Sequence, residues 1–331
     1  MVSAGARHAG KIAVEEHFAP RELSHLVTSP GWPTEAFRRV LDDLADVERR
    51  LASMDAGGVA LSVLSLGANG IQDVVDPVEA IDLARQANDS LGEVIAGHEG
   101  RFAGFAALPM QSPEAAAAEL RRAVTELGFC GALVNGYSSC GDLDTACYYD
   151  DLAYDQVWSA VEELRVPLYL HPRNPLPGQR RIYEDREELL GPTWAFAVET
   201  GTHALRLITS GLFDRHPRAT LILGHLGEFL PFAIHRLEQR LSRLSRKGHD
   251  RAPSEVLREN VYITTSGNYH TPSLMACIAE IGAERLLFAA DYPFEVLDDG
   301  TSWFDSLELD PADKALIGSE NARRLLRLGS A

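Results

Sequence analysis

The sequence predicts a (β/α)8 barrel, and three observations carry that prediction. Eight short apolar runs recur along the 331 residues, each followed by a longer amphipathic stretch. No Pro/Gly/Ser-rich linker, internal repeat or low-complexity segment divides them. An open nucleotide-binding sheet needs a glycine-rich turn after its first strand, and that place holds Glu15-Glu16-His17-Phe18. Continuous apolar runs are what parallel strands buried on both faces look like. Strands alternating with helices in one undivided chain are the pattern of a closed barrel, and a doubly wound open sheet is the runner-up.

The eight runs, in order, are 12–17, 60–66, 102–108, 131–135, 167–171, 220–225, 261–266 and 286–291. The stretches between them read as helices. Pro113 to Leu127 has Ser112 as N-cap, a proline at the first helical position and Gly128 just past its end. Asp310-Pro311 repeats the start signal, and Ser319 is expected to begin a last helix. Residues 1–10 lack the apolar middle of a signal peptide and are expected to be a disordered lead-in. Residues 11–331 are then one barrel domain.

Composition excludes partners more than it identifies them. With 48 acidic against 31 basic residues the formal charge is −17, and a nucleic acid or an anionic membrane would need a cationic face. No apolar stretch reaches the roughly 20 residues that cross a bilayer. Cys130, Cys140, Cys147 and Cys277 form no CxxC pair, so reduced thiols in a cytoplasmic protein are expected.

Barrel chemistry collects at the C-terminal strand ends. Here those ends read Glu15 and His17, His171, His225, and Asp291. Residues i and i+2 of a strand share a face, so Glu15 and His17 point together while Glu16 turns away. Two carboxylates and three imidazoles from four strands are a ligand set for one divalent cation, Zn²⁺ or Mn²⁺. Taken singly, each such residue is more often structural; only their joint occurrence points to a metal. No Walker loop, GxSxG elbow or HExxH helix is present, and no site for an organic cofactor stands out. Arg173, close to the fifth strand end, is a candidate anchor for an anionic substrate. Glu199 and His203, four apart on a predicted helix, read as a surface or packing pair.

Longer stretches carry a family likeness. KIAVEEHFA (11–19), RFAGFAALPMQ (101–111), LGFCGALVNGYS (127–138), VPLYLHPRNPLP (166–177), GHLGE (224–228) and LLFAADYPFE (286–295) resemble the decarboxylase branch of the amidohydrolase superfamily, in particular the γ-resorcylate (2,6-dihydroxybenzoate) decarboxylase family. The resemblance implies Glu15, His17, His171 and Asp291 as metal ligands, and His225 with Glu228 as an active-site pair. It implies that Phe294 packs on the substrate ring and that Arg236 belongs to the substrate-binding set. Two positions depart from the family pattern: Gly67 stands where an Asn is usual, and Tyr292 where a Trp is common. Both are expected near the substrate. Trp32 is a candidate lid over the ring, or an anchor between loop and barrel. The resemblance further implies homodimers or homotetramers, with residues 21–37 and the long loop after the fifth strand as candidate interfaces.

The expected activity is non-oxidative, reversible loss of CO₂ from an ortho-hydroxybenzoate, a small aromatic carboxylate, with Asp291 delivering the proton to the ring. The ligand set alone leaves open a metal-dependent hydrolase or hydratase, in which metal-bound hydroxide attacks a carbonyl. A non-catalytic metal-binding protein is the third possibility.

Overall fold

The computed structural model describes residues 10–28, 33–244 and 248–329. Among the described residues ten strands form: β1 (Lys11–Phe18), β2 (Val59–Leu66), β3 (Phe102–Ala107), β4 (Gly131–Asn135), β5 (Ser138–Cys140), β6 (Asp142–Cys147), β7 (Leu168–His171), β8 (Leu221–Leu223), β9 (Val261–Thr264) and β10 (Leu286–Leu287). Eight of them run in parallel in the order β1-β2-β3-β4-β7-β8-β9-β10. The ring closes where the Val14 N–H donates to the Phe288 carbonyl (3.1 Å), Asp291 N–H to Glu15 O (2.9 Å) and His17 N–H to Tyr292 O (2.7 Å). All eight predicted runs are barrel strands, because both of their faces are buried and only unbroken apolar sequence tolerates that.

Ile12, Val14, Val63, Phe105, Leu133, Tyr169, Ile222 and Leu287 meet inside the barrel and form its floor. Alternate strand residues such as Ala13, Leu64, Ala132, Leu168 and Leu223 face the surrounding helices. Strand β1 breaks this alternation. Its pairing with β2 slips between Ala13, opposite Ser62, and Glu16, opposite Leu64. Such a bulge lets Val14 and Glu15 both face inward, so β1 completes the apolar floor and then starts a polar layer above it.

Three expectations need correction. Ser319 does not begin a helix; it lies inside a π-type turn, Leu316–Glu320, that joins Pro311–Ala315 to Asn321–Leu325. Ser112 takes the cap position before Pro113–Glu126 in an extended conformation but makes no side-chain cap bond, whereas Asp310 accepts from the Ala312 N–H. Cys140 and Cys147 are not separate thiols but a disulfide. The antiparallel pair β5–β6 folds the chain back on itself and brings their Cα atoms to 6.0 Å, which CxxC spacing does not anticipate. Cys130 and Cys277 are free and buried. No helix among the described residues is long and apolar enough to cross a membrane.

Candidate active site

Three elements bring four ligand-type residues together at the C-terminal mouth of the barrel. Glu15 and His17 extend inward from β1, His171 from the end of β7, and Asp291 from the turn after β10. Each of the four offers a ligand atom, and these atoms all lie within 4.8 Å of one another. His17 Nε2 is 3.0 Å from Asp291 Oδ1, and His171 Nε2 is 3.4 Å from Glu15 Oε1. Glu15 Oε1, His17 Nε2 and Asp291 Oδ1 are nonetheless buried atoms without a hydrogen-bond partner. Buried polar atoms are nearly always satisfied, so orphans that converge on one point are what a shared cation would satisfy. Mixed carboxylate and imidazole donors suit Zn²⁺ or Mn²⁺, and the residues fit the group.

The other oxygen of Glu15 is anchored. Glu15 Oε2 accepts from the Tyr169 hydroxyl and from Thr264 Oγ1 (3.0 Å). The ring of His17 touches Ser65 Oγ through Nδ1 at 3.4 Å. Glu16 turns outward as expected, where its carboxylate accepts from the backbone N–H groups of Ala290 (2.9 Å) and Tyr292 (3.3 Å). It thereby helps close the barrel and takes no part in the cavity.

The GHLGE segment supplies the neighbouring pair through an unusual backbone. His225, Leu226, Gly227, Glu228 and Phe229 all have positive φ, from 50° to 81°. Four of the five carry a side chain, and left-handed backbone costs such residues about 1–2 kcal/mol each. Leu226 N–H to Thr264 O (2.9 Å), Gly227 N–H to Gly224 O (2.7 Å) and the burial of Leu226 hold the coil in place. Strain of this kind gathers at functional sites. Here it turns His225 and Glu228 toward each other, with Nδ1 to Oε1 at 2.8 Å. The far nitrogen of His225 then lies 3.6 Å from Asp291 Oδ2, and Asp291 itself has φ 71°.

Burial and charge divide the titrations. Burial pushes Glu15 up, against the pull of His225, and holds the His171 imidazole well below its ordinary value, neutral and ready to ligate. Burial also opposes charge on His225, but Glu228, Glu15 and Asp291 together hold its pKa well above the usual 6.5. Asp291 is buried too, yet the contacts from His17 and His225 keep it below the ordinary carboxylate range.

A cavity beside this cluster is lined by Thr28, Ala68, His171, Pro192, Phe196, His225, Asp291, Phe294 and Glu295. The Phe294 ring stands edge-on to His17 with centroids 5.4 Å apart. Other residues singled out from the sequence lie elsewhere. Arg173 is buried and committed: its guanidinium donates to Asp73 and to the Tyr137 carbonyl, 3.8 Å above the Tyr137 ring. Tyr292 faces away from the cavity and packs under Arg50, 4.7 Å from the ring centroid. A side chain at Gly67 would meet Val27, with a Cβ-to-Cγ distance of 3.2 Å, and neither Gly67 nor Tyr292 lines the cavity. Arg236 is exposed on the helix Leu230–Leu241 and does not line the cavity. Trp32 lies outside the described residues. Glu199 and His203 pack rather than ligate, Glu199 accepting from the Tyr148 hydroxyl (2.7 Å) and His203 from the Tyr149 N–H (3.2 Å).

Sequence reasoning missed Tyr169, Thr264 and Ser266, although each lies two residues from a site residue or from another of the three on the same strand face. It also missed Pro192 and Phe196, whose approach depends on the path of the long loop after β7 and left no local signal.

Comparison with known proteins agrees with this geometry. A family model described as amidohydrolase matches residues 48–328. A gamma-resorcylate decarboxylase from Rhizobium sp. (strain MTP-10005) is 49% identical over 327 residues, covering 97% of this chain and 99% of the relative. A dihydroxybenzoic acid decarboxylase from Polaromonas sp. JS666, solved with bound manganese and the inhibitor 2-nitroresorcinol, superposes with a TM-score of 0.93 at 45% identity, covering 97% of this chain and 98% of that one. A 2,6-dihydroxybenzoate decarboxylase solved with 2,6-dihydroxybenzoate also gives 0.93, at 48% identity and 96% and 99% coverage. This chain therefore belongs to the amidohydrolase family.

Proposed function

We propose that this chain is a divalent-metal-dependent, non-oxidative decarboxylase of an ortho-hydroxybenzoate, with 2,6-dihydroxybenzoate the leading candidate. The observation that carries the reading is the convergence of Glu15, His17, His171 and Asp291 at the barrel mouth, with ligand atoms within 4.8 Å and the His225–Glu228 pair beside them. The near-full-length likeness to gamma-resorcylate decarboxylases favours decarboxylation over hydrolysis. Mn²⁺ is the first ion to supply, since it is the one bound in the Polaromonas structure. When bound, the ion supplies chelation of a carboxylate and an ortho-phenol oxygen, which orients the ring and lowers the phenol pKa.

The remaining chemistry belongs to the chain. Direct departure of CO₂ would leave an aryl carbanion in an orbital that cannot delocalise. Asp291, held ionised by its neighbours, instead accepts the phenol proton and returns it to the carboxyl-bearing ring carbon. The carbon–carbon bond then breaks, its electron pair restores the aromatic ring, CO₂ leaves, and the phenolate recovers a proton from water. Glu228 keeps the His225 imidazole facing Asp291, and Phe294 packs on the substrate ring. The same steps run backwards as carboxylation.

The reading extends to one domain over residues 11–331 and to a homodimer or homotetramer, for which the exposed Trp194, Phe229 and Phe232 offer an apolar face. It places the protein in the cytoplasm, with Cys130 and Cys277 as buried free thiols. Asp291→Asn tests the mechanism: turnover is expected to fall by about 10²–10⁴-fold. Full decarboxylation by a metal-loaded Asn variant would overturn the role of Asp291.

A further inference from the structure

Beneath the four ligand-type residues lies a second polar layer, fully buried, that the chemistry above does not use. Tyr169, Thr264 and Ser266 are each 0% exposed, as is Glu15. Their hydroxyls are in contact: Tyr169 to Thr264 at 3.0 Å and Thr264 to Ser266 at 2.8 Å. One end of the row reaches Glu15 Oε2, through both Tyr169 and Thr264. The other end reaches the His225 backbone, whose N–H donates to Ser266 Oγ at 3.1 Å.

Each hydroxyl has one proton to give, and the contacts allow an ordering in which every proton has an acceptor. His225 N–H donates to Ser266, Ser266 to Thr264, and Thr264 and Tyr169 both donate to Glu15 Oε2. The row is then directional and ends on one oxygen of one carboxylate, leaving Glu15 Oε1 without a partner and facing the other ligand atoms. Gly224 makes room for this: a Cβ there would lie 3.0 Å from Glu15 Oε2 and 3.1 Å from the Tyr169 oxygen. Apolar side chains could fill a barrel floor at lower desolvation cost, so a fully paired polar row at this level needs a reason.

We propose that Tyr169, Thr264 and Ser266 are positioning residues that fix Glu15 as a one-oxygen metal ligand and tie its position to the His225 coil. The inference rests on the metal-dependent reading above. Partners that orient a ligating group typically change metal affinity or activity by about 10–100-fold when removed. Tyr169→Phe deletes only the hydroxyl and Thr264→Val replaces one by a methyl, so neither empties the floor.

The test is equilibrium Mn²⁺ binding to the full chain, followed by electron paramagnetic resonance, with thermal unfolding of the chelator-treated protein as a folding control. Wild type is expected to bind one Mn²⁺ per chain. Tyr169→Phe and Thr264→Val are each expected to weaken binding by about 10-fold or more, with a broadened bound-Mn²⁺ spectrum. Thr264→Ser, which keeps the hydroxyl, is expected to restore both, even if the valine variant folds poorly. Wild-type affinity and spectrum in folded Tyr169→Phe and Thr264→Val would overturn the positioning role while leaving the metal reading intact. Failure of the wild type to bind Mn²⁺ would overturn the metal reading and this inference with it.

Discussion

Glu228→Gln separates what the His225–Glu228 pair does by charge from what it does by shape. The glutamine is isosteric and keeps an oxygen for the His225 Nδ1–H, now 2.8 Å from Glu228 Oε1, so the ring keeps its orientation. What disappears is a buried negative charge, the largest favourable influence holding the imidazolium well above its ordinary pKa. A hydrogen bond to a charged group contributes about 1.5–3 kcal/mol and a neutral one about 0.5–1.5. The difference, about 1–1.5 kcal/mol, predicts a loss of about 5- to 13-fold in kcat if the protonated ring is needed in the transition state. The sign in pH follows. A raised pKa keeps His225 protonated to higher pH, so removing Glu228 lets the proton leave earlier and moves the alkaline limb of the rate profile to lower pH. Steady-state CO₂ release across pH, with metal content measured in parallel, is the assay. Metal content should be unchanged, because Glu228 touches none of the four ligand-type residues in the contacts described. An unchanged kcat together with an unchanged alkaline limb would refute the role of the pair.

Further outcomes follow from the same contacts. Arg173→Met should destabilise the fold by about 1–3 kcal/mol in urea denaturation, because it takes the donor from the buried Tyr137 carbonyl and opens the stack on the Tyr137 ring, while KM changes little. A KM raised tenfold with unchanged stability would instead make Arg173 a substrate anchor. Gly201→Ala would place a Cβ 2.9 Å from the Glu228 carbonyl, a clash worth about 1–3 kcal/mol against about 1 kcal/mol gained in helix propensity. Both the unfolding midpoint and kcat should fall; a more stable, fully active variant would contradict the packing. Protein purified without reductant should show two reactive thiols on denaturation, Cys130 and Cys277, and four after reduction. Four without reductant would remove the disulfide.

The barrel was legible because its strands carry their signal locally. A run such as Gly131-Ala-Leu-Val-Asn135 is buried on both faces, as parallel strands covered by helices require, and the missing glycine-rich turn favoured the barrel over the open sheet. The hairpin β5–β6 was not legible, since its second strand is exposed and polar and is paired only through its partner and the Cys140–Cys147 link. The pairing of Glu15 with His17 could be read from strand period, but the bulge that carries both inward from an apolar floor could not, because a register slip is a property of two strands. Arg173 illustrates the opposite failure. A cation near a strand end resembles an anion anchor until its real partner appears, and Asp73 is a hundred residues away in sequence. Tyr169 shares a strand face with His171, and its sequence context is that of a core aromatic; only the fold brings its hydroxyl to Glu15.

On the proposed reading this barrel mouth protonates a ring carbon and releases CO₂. Turnover of 2,6-dihydroxybenzoate with Mn²⁺ in D₂O tests it most directly, by measuring CO₂ and analysing the aromatic product by nuclear magnetic resonance. One CO₂ is expected per 1,3-dihydroxybenzene formed, with deuterium at the carbon that bore the carboxylate. A metal-loaded, folded protein that releases no CO₂ from this or any other ortho-hydroxybenzoate, or a product that has gained the elements of water, would contradict it.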